Sequence, residues 1–402
     1  MSARRPAARA RTAAVTAVLA LALPALLAAG CGSPQARAGA GAGIGAASST
    51  AQAVRLSLAT SAVSPAGNSQ AVIEMGGSAA QHDNFWQLFT RTGSAGQWAL
   101  ATPKGVADNG GLVVADRGAR SLVAGFVPSQ DLTFSPIATS GNNGGSWSPG
   151  PVSGGLASLP DALAAAPDGR LLAILRAGGA ELSGPGGTSW KQLADERSLG
   201  ATPAGRACGL RNITAGAFGA SAGPLLAGDC ARPGTAGIFT LSDGHWQLAG
   251  PVLPAALAAR DIDVIRLART STGEVALLAA DTADGESLLA AWSSGQGRTW
   301  TLATPFKMGT SQLRSASLGP AGEVGIVLTA GRGAIIAGPG APWRRLPALP
   351  ARTATLAPGP GAQAEALANT STALSVWRLA PGAAAWNRVQ IIKISVPYGS
   401  SG

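Results

Sequence analysis

The sequence has little of what active chemistry uses. Its 402 residues include two histidines, three cysteines, one tyrosine and 20 carboxylates, and charged residues make up 12% of the chain. Two histidines leave little for a metal centre or an imidazole proton relay. The lone tyrosine, Tyr398, stands near the C-terminal end of the sequence. No phosphate-cradling loop of the Walker kind is present. After the first thirty residues no run is long and apolar enough to span a membrane, and no segment repeats apolar residues at helical spacing. The net charge is +10, but Arg4, Arg5, Arg9 and Arg11 lie in the first eleven residues. Setting aside residues 1–30, which carry no acid, leaves about +6, unclustered, which argues against a nucleic-acid partner. What is plentiful is glycine (56), proline (27) and small or branched apolar residues. The length is long for an ordinary domain and suits one large β-repeat domain.

The N-terminus reads as an address. The stretch MSARRPAARARTAAVTAVLALALPALLAAGC has a basic start, an apolar run from about Thr12 to Ala29 and small residues before Cys31. That is a secretory signal pattern over residues 1–30. The cysteine directly after LLAAG resembles a bacterial lipobox, with Ala28 in place of the usual Leu. The resemblance implies that Cys31 is lipidated and anchors the exported chain to the outer face of the cell membrane; an ordinary cleaved signal and an uncleaved anchor are the alternatives. Residues 31–50, rich in Gly, Ala and Ser, read as a tether. Heavy use of Ala, Gly, Arg and Pro resembles proteins of high-GC bacteria such as actinobacteria. Outside the cytoplasm the two remaining cysteines, Cys208 and Cys230, are expected to pair. CGLRNITAGAF then reads as a strand, GASAG as a turn and PLLAGDC as the returning strand, with two buried thiols as the alternative.

A repeat organises the rest. SGNNGGSW (140–147), SGPGGTSW (183–190) and SSGQGRTW (293–300) share a spacing of Ser, Gly and a closing Ser/Thr-Trp pair. Weaker relatives end in Trp98, Trp246, Trp343 and Trp386. The tryptophans 98, 147, 190, 246, 300, 343 and 386 are spaced by 49, 43, 56, 54, 43 and 43 residues. Between them lie short β-type runs, such as DVIRLART, EVALLAAD and SLLAAWS before Trp300. The period and the four runs per unit predict an all-β, seven-bladed propeller of four-stranded antiparallel blades over residues 51–398, with residues 399–402 as a tail. The box resembles the Asp-box, or BNR repeat, of the sialidase-like superfamily, though only the first copy keeps an Asx at the Asp place. The resemblance implies a turn between third and fourth strands, with the Trp packing on its own blade. VQIIKISVP (389–397) is expected to extend the last outer strand or to join residues near 53–59, the two termini meeting in one blade.

The resemblance raises sialidase chemistry, but Tyr398 is poorly placed for a nucleophile and no Phe/Tyr-Arg-Ile-Pro motif is found. Asp261 and Asp263, two apart on a strand, point one way and read as a solvated pair. GASAG has the Gly-x-Ser-x-Gly form, but it falls in a hairpin turn instead of between strand and helix. Arg211, Arg266, Arg314 and Arg352 fall in or beside four successive innermost strands, 35, 34, 29 and 34 residues before their Trp. They form a candidate anionic-ligand patch in the central channel; local pairing with acids is the plain alternative. The expectation is a non-catalytic, monomeric, surface-tethered propeller without metal or cofactor. It would bind a protein or an envelope polymer through the channel or a rim face. The second reading is an exported glycan-active enzyme.

Overall fold

A computed structural model describes residues 60–63, 67–76, 84–103, 110–118, 120–126, 136–149, 159–185, 187, 189–219, 221, 223–257, 260–294 and 297–394. Residues 1–59, where the signal, Cys31 and tether expectations fall, and residues 395–402 with Tyr398 lie outside them.

The described strands form consecutive antiparallel sets of four, each ending at or just after a repeat tryptophan, which names it here. The Trp98 sheet holds Thr60–Val63, Ser69–Gly76, Asn84–Arg91 and Trp98–Leu100. The Trp147 sheet holds Leu112–Gly118, Ser121–Phe126, Ile137–Ser140 and Ser148–Pro149. The Trp190 sheet holds Pro160–Ala165, Leu171–Leu175, Gly179–Ser183 and Trp190–Asp195. The Trp246 sheet holds Leu210–Phe218, Pro224–Cys230, Gly237–Ser242 and His245–Leu248. The Trp300 sheet holds Ile262–Thr270, Gly273–Thr282, Gly285–Ser293 and Thr301–Leu302, with Phe306–Lys307 added beside its third strand. The Trp343 sheet holds Leu313–Leu318, Val324–Leu328, Arg332–Ile336 and Arg344–Arg345. The Trp386 sheet holds Thr353–Gly359, Gln363–Asn369, Ala373–Leu379 and Asn387–Lys393.

From the Trp147 sheet to the Trp386 sheet first strands lie side by side in chain order, whereas Thr60–Val63 of the Trp98 sheet pairs in parallel with Leu313–Leu318. Leu112–Gly118 touches Pro160–Ala165, and so on through Leu210–Phe218, Ile262–Thr270, Leu313–Leu318 and Thr353–Gly359. The last of these touches Ser69–Gly76, which touches Leu112–Gly118, so the succession returns to its start. Each first strand is followed by a second strand buried on both faces, such as Leu171–Leu175 and Val324–Leu328. Both faces are covered by neighbouring sheets, so these strands read as continuous apolar runs instead of alternating ones. Gly216 shows how close the sheets come. A Cβ there would sit 2.7 Å from Ile174 Cδ1 of the preceding sheet.

The core is a series of layers between sheets, and every repeat tryptophan lies in the layer shared with the sheet before it. Trp147 packs with Val72, Leu88 and Ala101 of the Trp98 sheet. Trp190 packs on Ala173 and Leu175 of its own sheet, where Ile137 of the preceding sheet also packs, and Trp343 packs with Phe306, ring centroids 5.4 Å apart. Trp386 packs with Val327 and Leu349, and Trp98 with Leu367, Leu374 and Val376 of the Trp386 sheet. Trp246 and Trp300 follow the same rule. Each indole also meets its own sheet in that layer, Trp190 on Ala173 and Leu175 and Trp386 with Leu356 and Ala366. The sheets are twisted and stacked face to face, so an indole at the start of an outer strand reaches the neighbour's face.

One correction concerns the chain path. Cys208 does not begin a strand. The segment before Leu210 forms two short helices, α1 (Glu196–Gly200) and α2 (Pro203–Cys208). Asp195 and Ser198 make a capping box on α1. Thr202 caps α2, with Pro203 at its first position and Gly209 in the left-handed conformation at its end. Cys208, at the end of α2, pairs with Cys230, Cα atoms 5.2 Å apart. The expectation that the termini meet in one blade involves residues near 53–59 and 395–397, which lie outside the described residues. Asn387–Lys393 completes the Trp386 sheet and Thr60–Val63 begins the Trp98 sheet.

Candidate functional site

The turn 140–147 shows what the box does. Ser140 Oγ accepts from Gly144 N at 2.9 Å, and Asn142 Oδ1 accepts from Ser146 N at 2.8 Å. Asn143 and Gly144 both have positive φ, and a Cβ on Gly144 would meet Ala101 Cβ at 2.5 Å. The turn therefore delivers Trp147 Nε1 to Ala101 O of the neighbouring sheet at 2.7 Å. The turn before Trp300 repeats this. Gly297 N donates to Ser293 Oγ at 3.0 Å, and Trp300 Nε1 reaches Ala249 O at 2.7 Å. In the turn before Trp190, Ser183 Oγ accepts from Leu171 N instead. The boxes are folding devices at the rim.

Where the first strands converge they enclose a cavity of about 200 Å³. Its walls are mostly aliphatic, among them Val72, Val113, Leu163, Ile265 and Leu267, with Gln70, Asp161, Thr214, Arg266, Arg269 and Thr270 as the polar groups. Of the four candidate arginines, Arg266 alone lines it. Arg211 is exposed and paired with Asp261 at 3.0 Å, and Arg314 and Arg352 are exposed and outside the lining. The structure does not bring the four into that cavity. Arg211, Arg314 and Arg352 stand at or just before the beginnings of their strands, whereas Arg266 lies in the middle of its own.

Arg266 is put there by a bulge. The register of Ile262–Thr270 against Gly273–Thr282 shifts between Val264 and Arg266, which re-aims the side chain. Its Nη1 donates to Ile265 O at 3.0 Å and its Nε to Ala316 O at 3.3 Å. Its Nη2 is buried and has no hydrogen-bond partner. Burial pushes its pKa down to about 10. Asp161, the one carboxylate in the lining, is held by Arg176 at 3.1 Å.

Buried carboxylates elsewhere were not flagged by the sequence reading. Glu274, Glu323 and Glu365 are all at most 3% exposed. Glu323 Oε2 accepts from Ala321 N, closing its own turn. Glu274 lies against Gly219 of the preceding sheet. The recurring Gly-Glu-Val at 273–275, with Gly322-Glu323-Val324 in the matching turn, was the available signal. Glu365 is different. Arg91 Nη1 meets its Oε2 at 2.5 Å, Arg378 Nη2 meets Oε1 at 2.8 Å, and Trp98 Nε1 donates to Oε2 at 2.9 Å. The Arg91 guanidinium lies 5.2 Å over the Trp98 ring. Burial lowers the Arg91 pKa, an effect opposed by Glu365. Gln390 adds a clasp: its Oε1 accepts from Trp98 N at 3.0 Å and its Nε2 donates to Trp98 O at 2.7 Å.

One rim element stands out. Asn387–Lys393 is the edge of the Trp386 sheet, and Val389 and Ile391 are 44% and 50% exposed on it. Arg388 and Lys393 flank them, and the strand holds no acid.

No protein-family model and no curated protein matches the sequence. Solved structures do resemble it. A protein of Bacteroides fragilis provisionally named a 6-phosphogluconolactonase superposes with a TM-score of 0.51 at 10% identity, over 80% of this chain and 95% of that one. A similarly named protein of Bacteroides uniformis gives 0.50 at 12%, over 82% and 97%. A xyloglucanase of Xanthomonas campestris gives 0.49 at 16%, over 80% of this chain and 51% of that one. At these identities the likeness concerns the fold alone, and with the sheet order above it makes this chain a β-propeller-like protein.

Proposed function

We propose that this chain is a non-catalytic, exported binding protein: a closed seven-bladed propeller of the Asp-box (BNR) type. In this reading a signal peptide over residues 1–30 directs export, Cys31 is lipidated, and a tether holds the disc at the outer membrane face of an actinobacterial-type cell. It acts as a monomer toward a protein partner in the envelope. The observation that carries the reading is the exposed edge strand Asn387–Lys393. Its pleat presents Val389 and Ile391 at alternate positions on an edge that no other described strand pairs, an arrangement that accepts an added strand. The basic flanks Arg388 and Lys393 fit an extended partner segment that carries acids. The cavity supports recognition over turnover, since its walls are aliphatic and its lone lining carboxylate is tied to an arginine.

A photo-crosslinking residue placed at Val389 in the cell envelope tests this. The expected outcome is one protein captured there and not from Val252, an exposed aliphatic on the Trp246 side, 75% accessible. Equal capture from both places, or none from Val389, counts against the reading. The alternative, glycan hydrolysis, requires release of reducing sugar from envelope polymers by the purified chain.

A further inference from the structure

The cavity at the centre holds a charge with nothing to answer it. Arg266 is the only described residue there whose guanidinium is both buried in the wall and without an acid. Two of its nitrogens are satisfied by Ile265 O and Ala316 O, which fix the plane of the group, while Nη2 has no partner. Buried cations are ordinarily paired, because an unpaired one loses its hydration with no return. The other lining charges do not answer it. Asp161 is engaged by Arg176, and Arg269 is an exposed second cation donating to Gly219 O. With Asp161 balanced by Arg176 and Arg269 exposed to solvent, the one buried charge left unanswered is that of Arg266, which one monoanion balances. A doubly charged phosphate would bring an excess charge beside Asp161. The walls fix the remainder of the ligand: Val72, Val113, Leu163 and Leu267 come from different sheets and surround the same space. At about 200 Å³ the space equals on the order of seven waters and is smaller than the pockets that take drug-sized molecules.

We propose that the central cavity binds a small organic monocarboxylate with a short aliphatic body, the carboxylate on Arg266 and the chain against Val72, Val113, Leu163 and Leu267. The bulge at Ile265 gives Arg266 its place in the wall. This site rests on the cavity alone and stands apart from the rim strand and its partner.

Calorimetric titration of the full chain with hexanoate, hexanol and inorganic phosphate tests the assignment. Hexanoate is expected to saturate one site per chain, with hexanol at least about tenfold weaker, as befits the loss of a charge-assisted pair, and phosphate not binding. Arg266→Met is expected to weaken hexanoate at least about tenfold and leave hexanol unchanged. Leu163→Trp, which fills the cavity from another sheet, abolishes both and serves if Arg266→Met does not fold. No saturable hexanoate binding, a folded Arg266→Met chain that keeps hexanoate affinity, or phosphate binding as tightly as hexanoate overturns the proposal.

Discussion

The seam between the Trp246 and Trp300 sheets and the seam between the Trp386 and Trp98 sheets perform the same task with different chemistry. At the first, Trp300 Nε1 donates to Ala249 O, a neutral bond between residues 51 apart, over a layer of Ala, Leu, Ile and Val. At the second, Trp98 Nε1 donates to the carboxylate of Glu365, which also holds Arg91 and Arg378, and Gln390 clasps both backbone groups of Trp98. The partners there are 267 to 292 residues apart. Neighbours in sequence are brought together by their own linker. The closing seam has no such help. Going from about 50 to about 270 intervening residues adds roughly 1.5 kcal/mol of closure entropy. Charge-assisted bonds, about twice the strength of neutral ones, stand where that extra cost falls.

The comparison can be broken or sharpened by measuring urea unfolding of single variants. Glu365→Ala should be the most damaging, costing about 3–5 kcal/mol, because it leaves the Arg91 guanidinium buried and unanswered. Removing the Cys208–Cys230 bridge lies away from the closing seam and should cost about 3 kcal/mol, as expected for a cross-link closing 22 residues. Trp300→Phe keeps most of the apolar contact and loses the bond to Ala249 O, so about 1 kcal/mol is expected. Arg266 lies in neither seam, and its effect is a matter of sign. Its folded pKa, about 10, is below the ordinary arginine value, so the unfolded chain binds more protons above that pH. Its contribution to stability therefore rises as pH climbs through about 10 and is unfavourable below it. The stability difference between wild type and Arg266→Met should shift toward wild type between about pH 9 and about pH 11; a difference independent of pH would contradict the burial of that charge.

The sequence made the periodic parts of the molecule legible. The tryptophan spacing gave the four-strand units, and the runs before Trp300 match the observed strands closely, because turn glycines and short apolar runs are local signals. The hairpin turn at GASAG was also legible, with Gly219 N donating to Gly223 O. The short helices before Leu210 were missed although Asp195, Thr202, Pro203 and Gly209 are ordinary capping residues; each helix is too short to show apolar periodicity. That the indoles also reach the preceding sheet was illegible, since it depends on the stacking of whole sheets. All four arginines were grouped by their places in or beside first strands, which is where they stand, but the position along the strand that decides whether a side chain reaches the cavity was not legible. Bulges occur in these strands too, Arg211 and Arg314 being the extra residues of their own register shifts, but only Arg266, beyond a shift in mid-strand, reaches the cavity. Glu365 was invisible for a related reason: its partners Arg91 and Trp98 lie at the far end of the sequence.

The central claim is that Trp98 and Glu365 act together to close the ring. A double-mutant cycle of Trp98→Phe and Glu365→Gln, read by urea unfolding, tests it directly. The account predicts a coupling of about 1–3 kcal/mol between the two, and none between Trp98→Phe and Glu323→Gln. Additive losses for Trp98 and Glu365 would show that the indole and the carboxylate do not act as one clasp.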